Sequence, residues 1–206
     1  MKTFNKTLIA AATITTFGLA AAPAAVSLEA SASLATSYLW RGLELGNGDA
    51  ALAVDLSGST GAVSYGLWVS SGDSTTSTDE TDVEGSTEYD IYVSYGGSVG
   101  EVGYSIGYAS YNYPSIGVGF DDAAEYIYGL SYGPASITRF DEKGGDGEYT
   151  VVGYEAGAFS FAYGDHDADD RQHFDVSYAV NDSLSVTVSK MDDADATVVA
   201  TYSLPF

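Results

Sequence analysis

The sequence predicts an all-β protein: a single closed, antiparallel transmembrane β-barrel of about twelve strands, with ten strands as the alternative count. Three observations predict it. Apolar residues alternate with small or polar ones from Ala32 to the C-terminus, long polar connections alternate with short ones, and the chain starts like an exported protein. A strand that crosses an outer membrane at a tilt needs about 9–11 residues with this alternation.

Composition and charge limit the classes of function. A chain of 206 residues suffices for one domain. With 7 Lys and Arg against 29 Asp and Glu, the net charge is −22. This charge excludes a nucleic-acid-binding protein, because contacts to phosphates require a basic surface. The sequence contains no cysteine, which excludes disulfides and thiolate metal sites, and no cofactor is predicted.

The N-terminus has the pattern of a secretory signal peptide. Lys2 and Lys6 precede an apolar stretch, and small residues between positions 24 and 32 provide candidate cleavage sites. The apolar stretch is shorter than the roughly 20 residues that a membrane-spanning helix needs. We therefore predict a signal peptide at residues 1–25 and a single barrel domain over residues 26–206.

Within each predicted strand, one face is apolar or aromatic and the other is small or polar. Examples of the apolar face are Leu34, Tyr38 and Trp40; Leu52, Val54 and Leu56; Tyr89, Ile91, Val93 and Tyr95; and Val198, Ala200, Tyr202 and Leu204. In two segments, 137–140 and 149–154, either parity fits the outer face. Aromatic residues near strand ends, such as Trp40, Tyr95, Tyr132 and Phe206, are expected at the membrane interfaces.

The connections between strands predict which end of the barrel faces which compartment. Short turns are predicted at 58–61, 96–100, 133–134, 156–158 and 181–183, and longer loops at 42–49, 72–86, 114–122, 141–148, 165–171 and 191–195. Outer-membrane barrels have short periplasmic turns and longer external loops. The long loops hold 20 of the 29 acidic residues. This charge indicates either an external mouth that attracts cations or simple solubility.

A soluble β-sandwich is the alternative fold, since its strands also alternate. The face opposite the apolar one is dominated by Gly, Ala and Ser, whereas a water-exposed exterior usually carries Lys and Glu. A face of small residues is more typical of a narrow lumen, and together with the signal peptide it favours the barrel.

Two sets of motifs carry a resemblance to known proteins. The C-terminal segment Thr201–Phe206, with apolar or aromatic residues at alternate positions and a final Phe206, resembles the signal by which outer-membrane barrels are recognised by the barrel-assembly machinery. The segments Ser37–Gly42, Gly46–Ala51, Tyr65–Ser71, Glu88–Tyr92 and Tyr111–Pro114 resemble the TorF-type family of porin-like proteins from Gram-negative outer membranes. Trp40 stands where that family usually has Phe.

The resemblance implies a location in the cell outer membrane, contact with its lipid, and a porin-like channel for ions or small polar solutes. Strand parity and the excess of acidic residues predict a preference for cations. The predicted pore-lining residues are Arg41, Asp55, Asp90, Glu101, Glu125 and Asp175. The alternative is a non-conducting barrel that stabilises the envelope or displays its loops.

The loop at 165–171 suggests two further hypotheses. Asp165, Asp167 and Asp169 have the spacing of the first ligands of a calcium loop, but no glycine follows Asp169. A calcium site is therefore only a weak candidate. His166 beside these carboxylates is compatible with water activation by an Asp/His pair. Because the sequence contains no established catalytic motif, we interpret the segment as a solvated loop and predict that the protein is not an enzyme.

Overall fold

A computed structural model describes residues 26–46, 48–73 and 86–206. The predicted signal peptide at residues 1–25 lies outside the described residues, as does most of the predicted loop at 72–86. Within the described part of the chain, no helix has the length and apolar character needed to cross a membrane.

Twelve strands form a closed antiparallel barrel, as predicted. In chain order the strands are β1 (Ser27–Ala35), β2 (Leu39–Trp40), β3 (Leu43–Glu44), β4 (Ala51–Thr60), β5 (Val63–Asp73), β6 (Ser86–Val99), β7 (Val102–Tyr113), β8 (Val118–Tyr132), β9 (Ala135–Glu142), β10 (Glu148–Ala156), β11 (Phe159–His166), β12 (Arg171–Ala179), β13 (Leu184–Met191) and β14 (Thr197–Pro205). The short strands β2 and β3 pair with each other in a separate two-stranded sheet and do not belong to the barrel. A single 3-10 turn, Pro114–Ile116, connects β7 to β8.

The first and last barrel strands close the sheet. On one side of β1, Ala35 lies opposite Ala51 of β4. On its other side, Ala35 lies opposite Thr201 of β14. Closure pairs the backbone groups that an open sheet would leave exposed at its edges, which is the requirement for a sheet surrounded by hydrocarbon.

Connections of different length occur at the two ends of the barrel. At one end, which we call the turn end, four two-residue turns begin with glycines at positive φ: Gly61, Gly100, Gly133 and Gly157. Such turns match the twist of hairpins and require a residue that tolerates positive φ. Both chain ends of the barrel lie at the turn end. The longer connections gather at the opposite end, which we call the loop end, so the predicted alternation is confirmed.

The outer face of the barrel is apolar. Large side chains such as Leu52, Ile106 and Leu130 are each about half exposed there, and Tyr95 and Tyr132 are exposed near the turn end. A soluble β-sandwich would bury these side chains between two sheets. An exposed apolar band around a closed barrel is instead the surface that a bilayer covers.

The inner face is less uniformly small and polar than the sequence predicts. In the two segments of ambiguous parity, Phe140, Tyr149 and Val151 point inward, while Ile137 and Tyr154 point outward. The inward residues belong to one buried apolar cluster, which consists of Ala109, Ile127, Phe140, Tyr149, Val151 and Ala162. Residues 37–46 lie against this apolar patch, since the Arg41 guanidinium contacts the rings of Phe140 and Tyr149.

Candidate functional site

A short hairpin lies inside the barrel at the loop end. It comprises residues 37–46, contains β2 and β3, and is called here the lumen hairpin. The prediction that Tyr38 and Trp40 continue the first barrel strand is wrong, because β1 ends at Ala35. Trp40 consequently lies in the lumen hairpin and not in an aromatic belt. Leu39 is only 2% exposed, which shows how completely the barrel encloses the hairpin.

The turn of the lumen hairpin has an unusual backbone. Arg41 and Gly42 both have positive φ, 49° and 80°. A two-residue hairpin turn with both residues in this region is the geometry that favours glycine, and an arginine there is strained. At Gly42 an added Cβ would overlap the ring of His173, so space as well as backbone conformation requires glycine.

Arg41 forms a two-pronged ion pair with Glu125 of β8. Its Nη1 donates to Glu125 Oε1 at 2.8 Å and its Nη2 to Oε2 at 2.5 Å. The hydroxyl of Tyr111 donates to the same Oε2 at 2.6 Å. Arg41 is 8% exposed, so the pair lies in an environment from which water is largely excluded. The flat guanidinium matches the carboxylate oxygens in a way that an ammonium group does not.

Three aromatic rings surround the same guanidinium. Its central carbon lies 4.4 Å from the ring centre of Trp40, 4.2 Å from Phe140 and 4.6 Å from Tyr149. At these distances each ring attracts the cation electrostatically. We call the group of Glu125, Tyr111, Phe140 and Tyr149 on the barrel wall the Arg41 pocket.

A second carboxylate anchors the start of the lumen hairpin. Glu88 of β6 accepts hydrogen bonds from Tyr38 at 2.7 Å and from Tyr113 at 2.8 Å. Glu88 is 2% exposed. The two hydroxyl donors replace part of the hydration that this carboxyl group loses inside the barrel. The hairpin is thus attached at two neighbouring parts of the wall, to β6 through Tyr38 and to β8 through Arg41.

A hydrogen-bonded chain of buried side chains supports the Arg41 pocket from behind. The hydroxyl of Tyr149 lies 2.9 Å from His173 Nε2, and His173 Nδ1 lies 3.1 Å from Asp175 Oδ1. Ser189 donates to the same Asp175 oxygen at 2.5 Å. A proton on His173 Nδ1 satisfies every bond in the chain, because Nε2 then accepts from Tyr149. This chain fixes the orientation of the Tyr149 ring.

His166 also contacts the lumen hairpin. Its Nε2 lies 2.9 Å from the backbone carbonyl oxygen of Arg41. Since a carbonyl only accepts, His166 Nε2 is the donor. This bond satisfies a carbonyl group in the strained turn.

Most of the predicted pore-lining residues face the lumen. Asp55, Asp90, Glu125 and Asp175 lie on the inner face of β4, β6, β8 and β12. Arg41 reaches the lumen from the hairpin and not from a strand.

Glu101 is an exception among these residues. It lies in the exposed turn between β6 and β7 and accepts a hydrogen bond from Tyr132 at 3.2 Å. The two-residue turn there ends the strand before position 101, so this side chain does not line the inner wall. Arg139 lies on the outer face with Asp141 and Glu148.

Sequence reasoning missed Glu88, although it is two positions from Asp90 and therefore on the same face of one strand. The parity rule that selected Asp90 would have found it.

The calcium candidates do not form a site. Among the described residues no group of three or more His, Asp or Glu side chains is placed to hold a metal ion. Asp169 pairs with Arg171, which lowers the pKa of Asp169. The hydrogen bond with Glu148 raises the pKa of Asp167. Asp167 and Asp169 therefore have different protein partners, Glu148 and Arg171.

The lumen carries an excess of negative charge. Within the described part of the chain, five buried or half-buried carboxylates face it: Asp55, Glu88, Asp90, Glu125 and Asp175. Arg41 neutralises Glu125, and Arg171 lies at the rim against Asp169. Neither Asp55 nor Glu88 forms an ion pair with another described residue; Asp55 accepts from Tyr92 at 2.8 Å.

Comparison with known families gives one match. A family described as a bacterial protein of unknown function, Gcw_chp, matches residues 19–139. This match does not test the resemblance to the TorF-type family, which stays a prediction. No curated protein matches the sequence.

Several solved structures are similar to the chain. A mutant porin of Rh. blastica is 16% identical, with a TM-score of 0.39, over 76% of this chain and 55% of the porin. Outer membrane phospholipase A from Escherichia coli is 9% identical, with a TM-score of 0.42, over 88% of this chain and 96% of the phospholipase. The chain thus spans about half the length of the porin chain that it matches.

Proposed function

The chain belongs to the Gcw_chp family of bacterial proteins of unknown function, and from this premise we propose that it is an outer-membrane channel for small cations and small polar solutes. One observation carries the proposal. A closed barrel combines an apolar, exposed outer face with an inner face that bears, among the described residues, five buried or half-buried carboxylates. In water, an apolar outer face would be unfavourable. In a bilayer, the same face lies against the hydrocarbon of the lipid.

A solute would enter the lumen more easily from the turn end than from the loop end. There the wall is lined by small residues, among them Ser64, Gly66, Ser105, Gly129 and Gly153. At the loop end the lumen hairpin narrows the interior. A passage past the hairpin would run beside Asp55, which is half-buried and forms no ion pair with another described residue, whereas Glu125 is paired with Arg41. Rings of carboxylates in narrow pores select for cations.

Single-channel recording tests the proposal. The chain without its signal peptide is refolded, its barrel content is verified by circular dichroism, and it is inserted into a planar bilayer with a salt gradient. We expect small discrete conductance steps and a reversal potential on the cation side. Asp55→Asn should move the reversal potential towards zero. The control Glu101→Gln removes the same charge in the exposed turn and should leave the potential unchanged.

Two results would count against a cation channel. The absence of conductance steps from a protein shown to be folded and inserted would contradict the proposed channel. A reversal potential that Asp55→Asn and Glu101→Gln shift equally would place selectivity at the barrel surface and not in the lumen.

A second candidate is a non-conducting barrel that stabilises the envelope or displays its loops. The burial of the lumen hairpin favours it, since Leu39 and Tyr38 are both below 10% exposed. Under this alternative the wild type is silent, and deleting the hairpin residues between Ser37 and Gly46 creates a conducting pore.

A further inference from the structure

We propose that the Arg41 pocket is a binding site for solutes that carry a guanidinium group, and that Arg41 is its built-in occupant. The inference rests on the proposed function, since a solute reaches the pocket only through the lumen. It names the class of solute that the channel would recognise: flat, hydrogen-bonding organic cations.

The pocket and its occupant belong to different parts of the fold. Glu125, Tyr111, Phe140 and Tyr149 stand on four barrel strands, whose positions are set by the continuous ladder of the sheet. Arg41 is presented by a two-residue turn of a hairpin that pairs only with itself among the described strands. The hairpin is therefore the separable partner, and the pocket remains when the hairpin leaves.

The pocket keeps its shape without Arg41. The hydrogen bond from Tyr111 orients the Glu125 carboxylate. The chain through His173 to Asp175 holds Tyr149, whose ring contacts Phe140 with centres 5.6 Å apart. An emptied pocket thus presents an oriented carboxylate and two aromatic rings to the space that the guanidinium occupied. A buried carboxylate without a paired cation has an unfavourable free energy. Binding of another cation to Glu125 would therefore be favourable.

The geometry selects guanidinium over other cations. Two parallel N–H groups fit the two oxygens of Glu125, and the flat face of the ion lies against Phe140 and Tyr149. An ammonium ion satisfies only the charge, because its hydrogens are not arranged as a flat fork. Urea has the flat shape and the N–H groups but lacks the charge. Binding of an ammonium ion therefore tests the contribution of charge, and binding of urea tests the contribution of shape.

The backbone conformation of Arg41 favours the replacement of its side chain in the pocket by a solute. Arg41 has φ 49°, a region that non-glycine residues rarely adopt. Release of the hairpin relieves this strain and opens the loop end of the lumen. A guanidinium-bearing solute that replaces Arg41 would thus occupy the pocket and also widen the passage.

Arg41→Ala provides the direct test. The refolded variant is held in detergent micelles and its thermal unfolding is followed with guanidinium, methylammonium or urea at equal millimolar concentrations. We expect guanidinium to raise the midpoint of Arg41→Ala and to bind it about tenfold more tightly than methylammonium does. Urea should have no stabilising effect. The double variant Arg41→Ala with Glu125→Gln should not respond.

Arg139→Ala is the matched control. It also removes an arginine paired with carboxylates, among them Asp141 and Glu148, but on the outer face, where its side chain is 40% exposed. Guanidinium should not stabilise this variant. Equal stabilisation of Arg41→Ala and Arg139→Ala, or of Arg41→Ala by guanidinium and methylammonium, would overturn the binding site.

Two further measurements keep the proposal testable if Arg41→Ala does not fold alone. Refolding it in millimolar guanidinium should restore the barrel, and methylammonium should not. Arg41→Lys retains the charge without the fork, and guanidinium should still stabilise it selectively; an unselective response in both assays overturns the site.

The micelle assay does not depend on conduction. A conducting wild type whose Arg41 variants ignore guanidinium contradicts the pocket alone. A silent wild type whose Arg41→Ala variant binds guanidinium contradicts the channel alone. In a conducting wild type, L-arginine amide should alter the current from one side, and Glu125→Gln should abolish that effect.

Discussion

The two halves of the barrel interior differ in the side chains that line them, although the outer face is largely apolar along both. In the half near the turn end, the inner wall is built from glycine and serine, such as Ser94, Gly107, Ser131 and Ser136. In the half near the loop end, it is built from tyrosines, histidines and carboxylates that bond to one another and to the lumen hairpin. The outer face is apolar along both except near the loop end, where Arg139 lies with Asp141 and Glu148.

This difference separates the requirements of the fold from those of the site. The ladder of backbone hydrogen bonds and the apolar exterior suffice to make a barrel, as the turn half shows. The interior of the loop half adds buried charges, which stabilise a fold only when they are fully paired. These buried charges are not required to form the barrel, and for this reason we place the proposed function in the loop half.

The largest expected effect comes from breaking the ion pair at the centre of the loop half. Glu125→Gln leaves the Arg41 guanidinium buried without its carboxylate. Removing one partner of a buried pair costs roughly 3–5 kcal/mol, and we expect a loss of that order in the free energy of unfolding or in the docking of the hairpin. Urea unfolding in lipid vesicles measures the first, and proteolysis of the hairpin measures the second.

Replacing both partners distinguishes pairing from packing. Arg41→Met combined with Glu125→Gln removes both charges of this pair, and it should recover most of the loss. If the double variant is as unstable as Glu125→Gln, the stabilisation lies in the aromatic contacts of Arg41 and not in its charge.

Gly42→Ala should have the second-largest effect. The new methyl group must share space with the His173 ring, and the backbone must keep a φ of 80°. Together these costs amount to roughly 2–4 kcal/mol in the unfolding free energy. Gly48→Ala is a matched control, because Gly48 has nearly the same φ of 82° but nothing within 4 Å of the added Cβ. Equal losses in the two variants would show that backbone strain alone acts at Gly42.

The comparison of the halves also shows what a sequence can predict. The twelve strands follow from the alternation of residues, which depends only on local geometry and on the medium at each face. The lumen hairpin does not follow from it. Leu34, Tyr38 and Trp40 share one parity, so they continue the pattern of a strand although the chain leaves the sheet after Ala35.

The partners in the loop half depend on closure of the barrel. Arg41 and Glu125 are 84 positions apart, and no local pattern links them. The Arg41–Gly42 pair was the available signal, since a two-residue segment that contains glycine and is flanked by Trp40 and Leu43 is compatible with a tight hairpin. Glu101 shows the converse error: parity extended one residue beyond a strand end misplaces a side chain.

A smaller effect is expected in the turn half, where Gly66 makes room for a neighbour. An added Cβ at Gly66 would overlap the Tyr92 hydroxyl, which donates to Asp55 at 2.8 Å. Gly66→Ala should displace the Tyr92 ring and cost about 1–2 kcal/mol of unfolding free energy. Tyr92→Phe is the reference, because it removes the same hydrogen bond without the overlap. A loss equal to that of Tyr92→Phe would show that the ring moves freely and that the turn half is loosely packed.

The smallest effect should come from the outer rim of the loop half, and it tests whether the contrast belongs to the interior alone. Arg139 contacts Asp141 at 2.6 Å and also pairs with Glu148, an arrangement that resembles the environment of Arg41 in charge. Its side chain is 40% exposed, so water and salt screen these contacts. Arg139→Ala should therefore leave the unfolding midpoint unchanged within error, while Glu125→Gln shifts it. A loss for Arg139→Ala comparable to that for Glu125→Gln would mean that charge pairing stabilises the loop half wherever it occurs. Enclosure by the barrel would then not be the reason that the Arg41 pair is strong.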